Sequence, residues 1–498
     1  MPECDDEVGR LAATTRRGCV LAAAGCGKTE QIVRSTAVSD CKRLILTHTH
    51  AGVDAITSRL RKYKVPSSKF TVDTIAGWCL RFSVSFPHRS GFDLSVPMER
   101  IDWGSVYESS ARLMRSGAVS EVIHASYGGV FVDEYQDCSK KQHEVICLLA
   151  DELPCCIFGD PLQGIFDFDS QAPVDWDSDV TPVFAVQASL TKPWRWTNAG
   201  NAPLAEWLGY VRTELERGNP VDLRTRPHCV HHVSSPLEAA EKHRVLLKAC
   251  MATLNAATDE KTVVLENAAA EASRVHLARS LARKGFCNIE PADCKPLAKA
   301  ASRIDATAGM ERFKALLEFA CSCMTGADRA GLERAMESRK KKRKQGHKAF
   351  QELFPLADRV IETGSGDSML HFLDAIHERH STNLYRREMY FAMCAAIRLQ
   401  ASRPERTLSN AVWDVQNQIR HIGRRFTKFS IGSTLLVKGL EFDHSVIVQH
   451  ERMTHKDLYV ALTRATKSVR ILAASELLVP FKDRRHDLPA QQLLSFIG

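Results

Sequence analysis

The chain has 498 residues, 44% of them apolar and 25% charged, with a formal net charge of +8. That composition is ordinary for a soluble globular protein of roughly two to four domains, and its mild basicity permits a polyanionic partner without demanding one. The 16 cysteines are scattered, with no CxxC pair, which excludes the spacing of a zinc ribbon or an iron–sulfur ligand set and suits reduced thiols.

The first residues include Glu3, Asp5, Asp6 and Glu7 and no apolar core, so they do not read as a signal peptide. No apolar run approaches the about 18 residues that spanning a bilayer requires, and a cytoplasmic protein with no membrane partner is expected. Cys19-Val20-Leu21 reads as a buried strand. It runs into Ala22-Ala23-Ala24-Gly25-Cys26-Gly27-Lys28-Thr29, and a helix follows from Glu30. In such a loop Gly25 and Gly27 let backbone N–H groups curl around phosphates, Lys28 reaches the β and γ oxygens, and Thr29 can ligate Mg²⁺. The P-loop consensus opens with glycine where this chain has Ala22, and a helix N-terminus that is merely glycine-rich is the alternative reading.

Arg43–Leu46, Val130–Val132 and Cys155–Phe158 are further short apolar runs, each ending in a polar cluster, with helical stretches between them. That alternation predicts an α/β fold, a parallel sheet with helices on both faces. At the end of Val130–Val132 stand Asp133 and Glu134, where one carboxylate can hold Mg²⁺ while its neighbour polarises water; a solvated acidic turn is the alternative. Residues 85–126 read as a small insertion. A second set of runs, Thr262–Leu265, Ser445–Val448 and Val469–Leu472, predicts a second parallel sheet. Between them, 271–424 is rich in Ala, Arg, Leu, Glu and Lys and reads as a helical insertion. It contains the basic run Arg339–Lys344, either a solvated face or a contact to a phosphate backbone.

Further clusters fall in a fixed order. They are Thr47-His48-Thr49-His50-Ala51, Thr71 to Trp78, Gly159-Asp160-Pro161-Leu162-Gln163 with Phe166 and Phe168, and Leu190 to Arg195. Lys438-Gly439-Leu440-Glu441-Phe442-Asp443 and Tyr459-Val460-Ala461-Leu462-Thr463-Arg464-Ala465 complete the series. With the phosphate loop and Asp133-Glu134, it resembles the motifs of superfamily 1 helicases of the UvrD/Rep type, over roughly residues 19–475.

The resemblance implies two RecA-like P-loop NTPase domains with helical insertions. The first would be 1–180, with the insertion near 85–126; the second would be 181–270 with 425–498, and 271–424 would be its helical insertion. It implies ATP and Mg²⁺ as cofactors and hydrolysis between the two domains. Ala24, Gly25, Cys26, Gly27, Lys28, Thr29 and Glu30 would hold the nucleotide, with Trp194 stacking on adenine and Glu441 touching ribose. Thr29 and Asp133 would hold Mg²⁺, Glu134 would orient water, and Gln163 would sense the γ-phosphate. Arg195 and Arg464 would neutralise charge in the transition state; alone, each could be a surface ion pair of little worth. Thr47, Thr49 and Thr74 would contact the DNA backbone. His48, Phe166 and Phe168 would stack on bases of single-stranded or partly duplex DNA, core packing being the alternative for the two phenylalanines.

Several positions depart from the family pattern. No glutamine-bearing adenine motif precedes the loop, Asp167 and Asp169 stand where basic residues are usual, and Asp73 replaces a histidine. Leu435 or Leu436 stands where the family has another histidine. The resemblance implies a DNA-stimulated ATPase and helicase moving 3′ to 5′ in repair or replication restart. The departures at DNA-contact positions also suit a second reading, a regulatory ATPase serving a nuclease partner in anti-phage defence.

Overall fold

The computed structural model describes residues 3–96, 101–166, 172–236, 238–254, 259–340, 348–422 and 426–481. The chain divides into two compact units. One is Met1–Val221 with Met453–Lys467 and Pro480–Gly498; the other is Asp222–Arg452 with Ser468–Val479.

In the first unit, β1 (Arg17–Ala22), β2 (Arg43–Thr47), β3 (Phe70–Thr74), β4 (Gly129–Val132), β5 (Cys155–Gly159) and β6 (Ala185–Leu190) form one sheet. Its order is β3-β2-β4-β5-β1-β6, and every pair is parallel. The inner strands β1, β2, β4 and β5 are mainly apolar because both of their faces are covered. Cys19, Leu44, Leu46, Val130, Val132, Cys155 and Ile157 enter one core with Trp78, Val106 and Ile146 from the helices Ile75–Ser85, Trp103–Arg115 and Lys140–Glu152. Val20, Ile45, Phe131, Cys156 and Phe158 enter the other, with Ile32, Val33, Ile56 and Leu60 from the helices Lys28–Val38 and His50–Lys62. Each such large side chain contributes about 1.5–3 kcal/mol on burial. Because the strands are parallel, the residues after β1, β2, β4 and β5 all emerge at one edge, where open α/β sheets bind ligands.

The first sheet runs past the expected boundary at 180, since β6 pairs with β1. The sequence of β6, Ala-Val-Gln-Ala-Ser-Leu, is a largely exposed edge strand with a weak apolar pattern, which is why it gave no strand signal.

In the second unit the sheet order is Phe286–Asn288, Phe429–Ser433, Thr262–Glu266, Phe442–Ile447, Ala465–Ala473, Val230–Ser234. Its recorded ladders are parallel. The stretch 271–424 is mainly helical, as expected, and its helices from Lys295–Asp305 to Leu408–Ile422 share a core of their own. It also supplies the short edge strand Phe286–Asn288 and an antiparallel pair, Met324–Thr325 with Asn383–Leu384, all too short to show a period. A buried bidentate pair joins Arg386 to Glu290, at 2.7 and 2.6 Å. Of the basic run, Lys341 to Lys344 lie outside the described residues, while Arg339 pairs with Asp358 at 2.6 Å.

Candidate nucleotide-binding site

The site is built where β1 turns into the helix Lys28–Val38. Gly25 and Gly27 have φ of +72° and +85°, a region L side chains rarely adopt. A Cβ on Gly25 would lie 2.8 Å from Arg195 Cβ and 2.9 Å from Trp196 Cζ3, so glycine is also required by close approach. Gly27 caps the helix without a side chain, leaving the first-turn N–H groups directed at the loop. Such a terminus favours anions through its N–H groups and the helix dipole.

Lys28 is buried, and its Nζ lies 2.6 Å from Glu134 Oε1 and 3.8 Å from Asp133 Oδ1. Burial pulls the ammonium's pKa down, but Glu134 and Asp133 outweigh that and hold it above the usual lysine value. Asp133 is pushed up, chiefly by burial and further by Glu134, with Lys28 opposing. Glu134 sits at φ +54°, and its N–H donates to Asp133 Oδ1 at 2.9 Å. Gln136 Nε2 donates to Glu134, and Gln136 Oε1 accepts from the Asp160 N–H at 3.0 Å. Asp160, fully buried after β5, accepts from Gln163 Nε2 at 2.8 Å and from Arg212 Nη1 at 2.9 Å.

The segment Trp194–Trp196 and the helix His455–Leu462 pack on the same loop. The Arg195 N–H donates to Gly25 O at 3.1 Å, and Arg195 Nη1 donates to Thr463 O at 2.7 Å. Trp196 Nε1 donates to Ala465 O at 2.8 Å. Trp194 lies against Gly27 on its Cδ1 side and has the Lys192 ammonium 3.8 Å from its ring centroid. Tyr459 Oη accepts from the Ala24 N–H at 3.3 Å. Arg464 is only 1% exposed; its Nε donates to Val460 O at 2.9 Å and its Nη2 to Thr463 Oγ1 at 3.0 Å. Burial pushes the Cys26 thiol up to about 11, so it stays protonated and acts as packing.

The structure therefore gathers Ala24 to Lys28, Asp133, Glu134, Gln163, Trp194, Arg195 and Arg464 within one unit. Thr29 is half-buried in the first helical turn, and Glu30 pairs with Arg34 and contacts the Tyr63 hydroxyl. Among the DNA candidates, Thr47 is buried, while Thr49 and Thr74 cap the helices that begin at His50 and Ile75. His48 Nε2 lies 3.7 Å from Cys138 Sγ. Phe166 is half-buried, and Phe168 lies outside the described residues. Glu441 is exposed in the second unit, just before the strand Phe442–Ile447. The sequence reading missed Asp160, Gln136, Tyr459 and Arg212 as site residues. Asp160 and Tyr459 stand inside the clusters that carried the resemblance and Gln136 lies two residues after Glu134, but Arg212 is one basic residue on an amphipathic helix and carries no local signal.

A parallel sheet, a glycine-turned loop into a helix, and a carboxylate pair, one buried and one half-buried, beside the loop lysine define the P-loop NTPase class. Residues 96–173 match the family model of the UvrD/REP helicase N-terminal domain, so the chain carries a segment of that type, as the motif series led us to expect. Among solved structures, the chain is similar to an arterivirus nonstructural protein 10 (helicase) in complex with DNA. Identity is 10%, with 94% of this chain and 63% of that chain covered and a TM-score of 0.35. A second arterivirus nonstructural protein 10 structure gives 11% identity, 94% and 62% coverage and a TM-score of 0.31. A Pif1 helicase from Bacteroides, in complex with ADP-AlF3 and ssDNA, gives 10% identity, 99% and 96% coverage and a TM-score of 0.37. The chain thus spans less than two thirds of the arterivirus helicases it matches. No curated protein matches it. No helix among the described residues is long and apolar enough to cross a membrane.

Proposed function

We propose that the chain is an ATP-dependent DNA helicase or translocase that moves 3′ to 5′ on single-stranded DNA. The observation that carries the ATPase reading is the buried Lys28 ammonium, 2.6 Å from Glu134, at the helix start that follows two left-handed glycines. A lysine so placed exchanges a carboxylate for a phosphate when nucleotide enters. In this reading Lys28 and the loop N–H groups bind the phosphates, and Glu134 orients the attacking water and takes its proton. Gln163, anchored on Asp160, contacts the γ-phosphate, and Arg195 and Arg464 supply positive charge where negative charge develops. Trp194 offers a face for the base.

Thr29 and Asp133 are hard oxygen donors that fit Mg²⁺. No cluster of three His, Cys, Asp or Glu residues occurs among the described residues, and a Mg²⁺ held largely by substrate phosphates and water needs none. When bound, Mg²⁺ neutralises charge on the β and γ oxygens. The DNA substrate and the polarity are supported by the motif series, with His48, Thr47, Thr49, Thr74, Phe166 and Phe168 as its contacts.

The test is ATP hydrolysis with and without single-stranded DNA, followed by unwinding of duplexes carrying a 3′ or a 5′ tail. DNA should raise the hydrolysis rate, and the 3′-tailed duplex should open. No hydrolysis under either condition removes the ATPase reading, and opening of the 5′-tailed duplex alone reverses the polarity.

A further inference from the structure

We propose that Arg212 is a positioning residue for ATP hydrolysis, holding the Gln163 loop in register with the phosphate-binding loop. The inference rests on the ATPase reading above and extends it to a residue outside the motif series. Arg212 projects from the helix Ala202–Glu216. Its Nη1 lies 2.9 and 3.0 Å from the two Asp160 oxygens and 3.0 Å from Tyr459 Oη, while its Nε pairs with Glu216 at 2.8 Å. The guanidinium also lies 5.4 Å from the Tyr459 ring centroid.

Each partner leads to the chemistry by a short path. Asp160 accepts from Gln163 Nε2 at 2.8 Å, and its N–H reaches Gln136, which donates to Glu134. Tyr459 accepts from the Ala24 N–H inside the phosphate-binding loop. One guanidinium therefore ties the water-orienting and γ-phosphate-side groups to the loop that carries Lys28. Buried polar networks of this kind rigidify when every member is satisfied. The residue type follows from the geometry: a fully buried carboxylate needs a cation, and only a fork of donors serves Asp160, Tyr459 and Glu216 together. Without it, Asp160 and the side chain it anchors are free to shift, and a displacement of ~1 Å at a reacting group can cost about 10²-fold in rate.

The test compares Arg212→Met, Arg212→Lys and Tyr459→Phe in steady-state ATPase, affinity for a non-hydrolysable ATP analogue, and thermal melting. Arg212→Met should lower kcat about 10- to 100-fold with analogue affinity within about threefold of wild type. Lysine should recover part of the loss, and Tyr459→Phe, which cuts the ties to Ala24 and to Arg212 but leaves the Arg212–Asp160 pair in place, should lose less. Should the unpaired Asp160 prevent Arg212→Met from folding, Asp160→Asn combined with Arg212→Met removes the buried charge and should fold while remaining slow. A folded variant with wild-type kcat overturns the proposal. So does a loss confined to KM, or one that merely follows the unfolded fraction. In those cases the wild type still hydrolyses ATP; a wild type that does not hydrolyse it overturns the ATPase reading together with this one.

Discussion

Replacing Glu134 by glutamine should separate nucleotide binding from hydrolysis, in opposite directions. Before ATP binds, Lys28 is held by the Glu134 carboxylate at 2.6 Å, and the γ-phosphate must compete with that carboxylate for the same ammonium. The lysine side chain is 9% exposed and the glutamate 30%, so the pair lies between a surface and a fully buried ion pair. Surface pairs are worth about 0–1 kcal/mol and breaking a buried pair costs about 3–5, which puts this competition at about 1–2 kcal/mol. Glutamine keeps the shape but removes the charge, so MgATP should bind about 5- to 30-fold more tightly. Loss of the group that takes the water's proton should lower kcat about 10²- to 10⁴-fold. Calorimetric titration with MgATP and single-turnover hydrolysis read the two effects separately. Weaker binding by the variant, or hydrolysis within about threefold of wild type, would refute the roles given to both Lys28 and Glu134.

Three further outcomes follow from the geometry. Arg464→Ala should lower turnover about 10³-fold or more while ATP affinity changes little, because charge placed for the transition state acts there; parallel losses of both would argue against that role. Arg386→Met should destabilise the second unit by about 3–5 kcal/mol, since Glu290 would stay buried with its bidentate partner gone; Glu290→Met added to it should recover most of the loss in urea melts. Gly25→Ala should cost roughly 2–5 kcal/mol, from a left-handed φ and a Cβ 2.8 Å from Arg195 Cβ, and an unchanged melting temperature would count against the close approach of Arg195 to this loop.

The two sheets were legible because most of their inner strands are buried on both faces and read as short apolar runs ending in functional clusters; Phe429–Ser433, an inner strand of sequence Phe-Ser-Ile-Gly-Ser, is an exception. Edge strands do not obey that rule. Ala185–Leu190 is largely exposed and Phe286–Asn288 has three residues, so neither carries a period that sequence can show. The phosphate loop and the Asp133-Glu134 pair were legible because their chemistry dictates residue types at fixed spacing. The supports behind them were not. Arg212 meets Asp160 across 52 residues and Tyr459 across 247, and no local pattern announces a contact made by the fold alone. Thr49 and Thr74 also cap helices, a role in which threonine is common anywhere, so residue type alone does not announce a DNA contact there.

The backbone around Lys28 bears a conformational cost that local structure does not require. Gly25 and Gly27 take left-handed φ values at little steric cost, but Glu134 takes φ +54° with a full side chain, which costs of order 1–3 kcal/mol. If that position served only to turn the chain from β4 into Tyr135–Asp137, glycine would do so more cheaply. What glycine lacks is the carboxylate, and this turn delivers it to Lys28. The turn is held by the Glu134 N–H on Asp133 Oδ1 and by Gln136, which is in turn anchored on the Asp160 N–H. The same side chains that bear the strain thus fix the direction of the carboxylate before any substrate arrives, so the cost of orienting it is met during folding and not during the reaction.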